Sequence, residues 1–126
     1  MSEDNIVAAG DARHQRREHL LQKLFACTFT PEKFALDYEL SSGEFRELLD
    51  ALPELDAQIK VVAPERPLSE INKIDLAILR LIMFESKHKK TPPKVLLNEA
   101  IELAKAFGSD GSSKFINGAL ARLLLE

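Results

Sequence analysis

Few residues in this chain could do chemistry, and their spacing argues against catalysis. His14 and His19 stand five positions apart, which misses the i, i+4 spacing that puts two metal ligands on one helix face, and no acidic ligand completes them. Both read as solvated. Cys27 is the single cysteine. It excludes an internal disulfide and a cysteine-rich zinc site, points to a reducing compartment, and reads as a small core residue at the end of an apolar stripe. The run GSDGSSK, Gly108 to Lys114, lacks the Gly-Lys-Ser/Thr order that sets a lysine and a hydroxyl on a nucleotide. Nucleotide hydrolysis is therefore rejected. With no nucleophile beside a base and no paired carboxylates, the chain reads as a non-enzyme that uses no cofactor, metal or small-molecule substrate.

What remains is binding chemistry. The polar stretch DARHQRREH carries Arg13, Arg16 and Arg17 at one end of a helix whose other end is apolar, so one end docks and the other offers positive charge. Ser112, Ser113 and Lys114 open a later helix, where free backbone N–H groups and the positive dipole end favour an anion such as a backbone phosphate. Phe115 beside them either continues the Leu/Ile stripe into the core or offers a face on which an unpaired base stacks. The run Lys87, His88, Lys89, Lys90 reads as a solvated basic turn. A formal charge of −3 argues against a generally sticky nucleic-acid binder. Any such binding needs a local patch or the help of a partner.

These groups must be positioned by helices. At 126 residues the chain supports one compact domain, expected over residues 11–126 after a flexible, mildly acidic tail over residues 1–10. It shows neither a secretory signal nor an apolar run long enough for a membrane span, which points to a soluble cytoplasmic protein. Helix one is expected over Asp11–Cys27, with its stripe at Leu20, Leu21, Leu24 and Phe25. Thr30 and Pro31 start a short second helix, and Ser41, Ser42 and Gly43 break it. Phe45, Leu48, Leu49 and Leu52 mark a third helix that Pro53 ends or kinks, and Leu55, Ile59 and Val62 carry another short stripe. The stretch Arg66–Glu85 is the hub. Ile71, Ile74, Ala77, Ile78, Leu81, Ile82 and Phe84 cover one broad sector, and Leu76, Leu79 and Met83 form a second stripe with Asp75 and Arg80 at the seams. Two apolar faces require two neighbours, within the chain or on another protein. Leu96, Ala100, Leu103, Ala104 and Phe107 then define a helix capped at Gly108, and Phe115, Ile116, Ala119, Leu120, Leu123 and Leu124 a final one. The class is all-α, with about six or seven helices.

Several of these stretches together resemble the NusB family. Ile74 and Asp75 leading into Ala77, Ile78, Leu79, Arg80, Phe84 and Glu85 look like its signature. The run PKVLLNEAIELAKAFG followed by SSKFING is the most specific match, and Arg17, Glu18, Gln22, Leu24 and Phe25 resemble the family's arginine-rich opening helix. The segment from Pro31 to Glu65 shows no visible match, and His14 and Gln15 stand where the family is often basic. The resemblance implies a compact bundle of two small subdomains sharing a core. It also implies a transcription antitermination factor that pairs with NusE, a small-subunit ribosomal protein, binds boxA-type single-stranded RNA with it, and joins the RNA polymerase antitermination complex during ribosomal RNA transcription. Carried over, the RNA contacts are Arg13, Arg16, Arg17, Ser112, Lys114 and Phe115, and the NusE surface includes Phe25, Phe29, Asp75 and Leu79. Two alternatives stand beside this reading: a protein–protein module of the same fold without an RNA role, and the RNA-guiding domain of a ribosomal-RNA cytosine methyltransferase.

Overall fold

The computed structural model describes residues 3–124. Among them are six α-helices and no strand: α1 (Glu3–Cys27), α2 (Pro31–Leu40), α3 (Gly43–Val62), α4 (Lys73–His88), α5 (Pro93–Phe107) and α6 (Ser112–Leu124), with a 3-10 turn at Leu68–Glu70 leading into α4. No helix of the described residues is long and apolar enough to cross a membrane. The all-α class expected from periodicity is the one observed.

α4 is the hub, packing against α1, α3, α5 and α6. Its Ala77, Ile78, Leu79, Leu81, Ile82, Met83 and Phe84 are all buried, so both stripes, apart from the half-buried Ile74 and Leu76, are covered by other helices of this chain. They belong to one continuous apolar cluster that takes Leu20, Leu21 and Leu24 from α1, Leu48 and Ile59 from α3, Leu96 and Leu103 from α5 and Ile116 and Leu120 from α6. The helix is shorter than the stretch Arg66–Glu85 proposed for it. Asn72 caps it, its side chain accepting the N–H groups of Ile74 at 2.9 Å and Asp75 at 3.4 Å, which satisfies donors otherwise left open at a helix start. Ile71, counted above on the helix, is extended and buried just ahead of that cap.

Two other boundaries differ from expectation. α1 begins at Glu3, ahead of the Asp11 expected for helix one, while residues 1 and 2 lie outside the described residues. Ala8 and Ala9 favour helix and no proline interrupts the segment. α3 runs through Pro53 without a break. A proline deprives the helix of one hydrogen bond, to the carbonyl of Leu49. The apolar face Phe45, Leu48, Leu49, Leu52, Leu55, Ile59 and Val62 is buried along the whole length, and that burial outweighs one missing bond.

The remaining punctuation follows the sequence. Thr30 caps α2 by accepting the Lys33 N–H at 3.0 Å, with Pro31 in the first turn. Gly43 opens α3 at φ +61, a left-handed conformation that favours glycine. Gly108 ends α5 for a different reason. A Cβ there would stand 2.5 Å from Ser112 Oγ and 2.7 Å from the Ala104 carbonyl oxygen, so only glycine allows α6 to fold back this closely.

Candidate nucleic-acid and partner interfaces

The arginine-bearing part of α1 lies against the start of α5 and the end of α4. Arg17, three and four residues before Leu20 and Leu21, falls on the buried face of α1 and is itself buried. A guanidinium there needs a full set of acceptors. Glu85 of α4 supplies them: Arg17 Nε donates to Oε2 at 2.8 Å and Nη2 to Oε1 at 2.5 Å, with Glu99 of α5 at 3.5 Å from Nη1. Thr91 adds a donor to Glu85 Oε1 at 3.2 Å. Burial pushes the Glu85 carboxyl up, but the hydrogen bonds and charge of Arg17 outweigh it and hold the group below the usual carboxylate range. His14 completes the cluster, 3.0 Å from Glu99 and 2.6 Å from Glu18. The Glu99 hydrogen bond is the main reason its pKa is raised. Arg17 is therefore a clamp between α1, α4 and α5, and its side chain is not presented at the surface as expected of an RNA contact.

Its neighbours are presented. Arg13 and Arg16 are exposed and line a cleft of about 620 Å³ with Lys89, Lys90, Thr91 and Val95, which the paired Arg17 and Glu85 and the carboxylate of Glu99 also line. The basic turn, read above only as solvated, is thus brought beside the arginines, with Lys90 at φ 55. Glu44, near the start of α3, reaches into the same charge cluster. Its carboxylate stands 2.8 Å from Lys89 Nζ and 3.6 Å from Arg16 Nε. The sequence gives no sign of this acidic guest, which arrives from a segment remote from both cations.

The opening of α6 forms a separate cleft. Lys114 is exposed and Phe115 half-buried, packed in part against the core. The outer face of the ring is occupied, since the guanidinium carbon of Arg66 sits 4.4 Å from its centroid. Ser112, expected to meet phosphate, is fully buried, and its hydroxyl accepts the Ser109 N–H at 2.9 Å. That hydroxyl closes the α5–α6 turn and faces the Gly108 backbone. The two basic clefts share no lining residue.

Of the four residues expected on a partner surface, two line a groove. Phe25 and Phe29 meet edge to face, centroids 4.8 Å apart, and line an apolar groove of about 630 Å³ with Leu21, Ile74, Phe107 and the Lys73 side chain. Phe29 is 51% exposed, large for an aromatic side chain with no tip to hydrate. Leu79 and Asp75, expected on this surface, are inside: Leu79 is wholly buried and Asp75 4% exposed, with Oδ1 lacking a hydrogen-bond partner among the described residues. The reason is the encirclement of α4 by the chain's own helices. Ile74 and Phe107, assigned by period to the core, take their place at the groove. Phe107 ends α5 and Ile74 begins α4, and the last apolar residue of a stripe often overhangs the core edge.

Comparison with known proteins accords with this architecture. The model of the NusB family matches residues 14–124. The chain belongs to the NusB family. A transcription antitermination protein NusB of Aeromonas salmonicida is 44% identical over 103 residues, covering 74% of this chain and 73% of the relative. Proteins of the same name from Herpetosiphon aurantiacus and Chloroflexus aggregans are 34% and 36% identical, covering 91% and 94% of this chain and 91% and 90% of their own length. These longer matches include the segment Pro31–Glu65 that showed no visible likeness. Among the described residues no group of His, Cys, Asp and Glu is arranged to hold a metal ion.

Proposed function

We propose that this protein is a transcription antitermination factor that binds boxA-type single-stranded RNA together with NusE and so promotes ribosomal RNA transcription within the RNA polymerase antitermination complex. Family membership supports the class. The observation that carries the binding reading is the separation of two surfaces: a cation-lined cleft at Arg13 and Arg16, and an apolar groove at Phe25 and Phe29. Lys114 and the Phe115 cleft add a second cationic region. Phosphate contacts come from the exposed Arg13, Arg16, Lys89, Lys90 and Lys114, while Arg17 positions the helix that carries the first two. With about three to five such contacts on a single strand, the logarithm of affinity falls with the logarithm of salt at a slope of about −2 to −4. NusE seats on the aromatic groove, where burying Phe29 removes exposed apolar surface from water. Joint binding suits a chain of net charge −3, since each partner raises the effective affinity for the other.

The double variant Arg13→Gln with Arg16→Gln tests the reading. Both side chains are exposed, and Arg16 loses only the ion pairs to Glu44 and Glu85 at 3.6 and 4.0 Å, so the expected result is loss of RNA binding with an unfolding midpoint close to that of wild type. A protein–protein module without an RNA role would show RNA binding in neither protein and no difference in partner binding. The cleft also makes a gain-of-function prediction. Glu44, itself half-buried, neutralises the exposed Arg16 and Lys89, and releasing a surface pair of this kind is worth up to about 1 kcal/mol. Glu44→Gln should therefore tighten RNA binding by roughly two- to fivefold at low salt, with the gain fading as salt rises.

A further inference from the structure

Arg66 covers Phe115. The loop between α3 and the 3-10 turn carries Arg66 across the start of α6 and lays its guanidinium over the outer face of the ring, 4.4 Å from the centroid. The inner side of Phe115 packs against the core. A second arginine–aromatic pair in the chain shows what a purely structural stack looks like. Arg46 lies 3.7 Å over Tyr38, donates to the Tyr38 carbonyl at 3.2 Å and stands 3.7 Å from Asp50. Arg66 differs. Its guanidinium makes no hydrogen bond or ion pair among the described residues, and the residue is exposed. Its planar fork of donors lies over the ring and meets no acceptor among the described residues.

The surroundings are cationic. A cleft of about 440 Å³ is lined by Arg66, Lys114 and Arg122 against one carboxylate, Glu65. Arg122 is fixed by donating to the Val62 carbonyl at 2.8 Å, with Glu65 4.0 Å away. Unpaired bases stack on arginine planes as well as on aromatic rings, and a plane already seated on a ring is pre-organised for it.

We propose that the guanidinium of Arg66 is the platform on which an unpaired RNA base stacks, with Phe115 as the positioning residue beneath it and Lys114 and Arg122 flanking it toward phosphate. The proposal rests on the RNA-binding reading above and assigns roles to two residues, Arg66 and Arg122, that the sequence left without one. It has a mechanical consequence. Phe115 acts through Arg66, so removing the arginine loses affinity even though it uncovers an aromatic face.

The test is titration of the full chain with boxA-type RNA carrying 2-aminopurine at successive positions, in the presence of NusE. Wild type is compared with Arg66→Ala and Arg66→Lys, and circular dichroism melts confirm folding. At the position that stacks, wild type should quench the 2-aminopurine and both variants should relieve the quenching. Both should lose roughly tenfold in affinity, the order of one stacked base. Both variants should keep the wild-type salt slope, because Arg66 stacks on a base and the phosphate contacts fall to Lys114 and Arg122. Unchanged or tighter RNA binding by Arg66→Ala would overturn the proposal, because the base would then be stacking on Phe115 or elsewhere. Weakened NusE binding with unchanged RNA binding would overturn it too, marking Arg66 as part of a protein surface. Absence of RNA binding by wild type would instead defeat the antitermination reading itself, and this inference with it.

Discussion

Replacing Arg17 with methionine while Glu85 stays in place should cost about 3–5 kcal/mol of stability, the cost of stranding one member of a buried ion pair. The guanidinium makes bidentate bonds to Glu85 at 2.8 and 2.5 Å inside the contact of α1 with α4. Urea denaturation reads the loss. The companion variant Arg17→Met with Glu85→Leu should recover most of it, because an apolar pair of similar volume carries no stranded charge. The pair also sets a pH signature. The folded Glu85 carboxyl titrates below its unfolded value, so the stabilisation it brings is complete above the unfolded carboxylate pKa of about 4.3 and is lost as pH falls through the lower folded value. Arg17→Met should flatten that part of the acid limb. RNA affinity should fall as well, since α1 would no longer be held where Arg13 and Arg16 stand beside Lys89 and Lys90.

Leu79→Ala should cost about 2–5 kcal/mol, the range for emptying a leucine site that cannot collapse. Leu79 is fully buried within the packing around α4. A docking residue on an exposed stripe would instead lose well under 1 kcal/mol of stability and show its effect in partner binding. Thermal or urea unfolding of the isolated chain therefore separates the two placements directly.

Leu79 illustrates where sequence reading stops. Helical periodicity located α1, α4, α5 and α6, because an amphipathic stripe is a local property. It also showed that α4 has two apolar faces. It had no means of saying whether the second neighbour was another helix of the same chain, since that depends on tertiary packing. The same limit hid the partner of Arg17: Glu85 lies 68 positions away in sequence. A signal was nevertheless present, for a charged residue in register with Leu20, Leu21 and Leu24 on a buried face demands a buried counter-charge. Asn72 was likewise legible as a cap, and reading it would have placed the start of α4 correctly. Pro53 misled because a helix-breaker rule is weaker than seven apolar side chains buried on one face of α3. Of the residues that the resemblance assigned to binding, Arg13 and Arg16 are exposed and Phe25 and Phe29 line a groove. Ser112, Asp75 and Leu79 are in the interior, and Lys89, Lys90, Arg66 and Glu44 reach the clefts from loops or helix ends whose position only the fold determines.

On the proposed reading two separate surfaces, a cationic cleft for RNA and an aromatic groove for NusE, act together. The decisive measurement is the affinity of the full chain for boxA-type single-stranded RNA, titrated with and without saturating NusE at fixed salt. Weak, salt-sensitive binding by the chain alone is expected, and at least tenfold tighter binding with NusE, a coupling of about 1.4 kcal/mol. Identical RNA affinity in the two titrations, with NusE demonstrably bound, would contradict it.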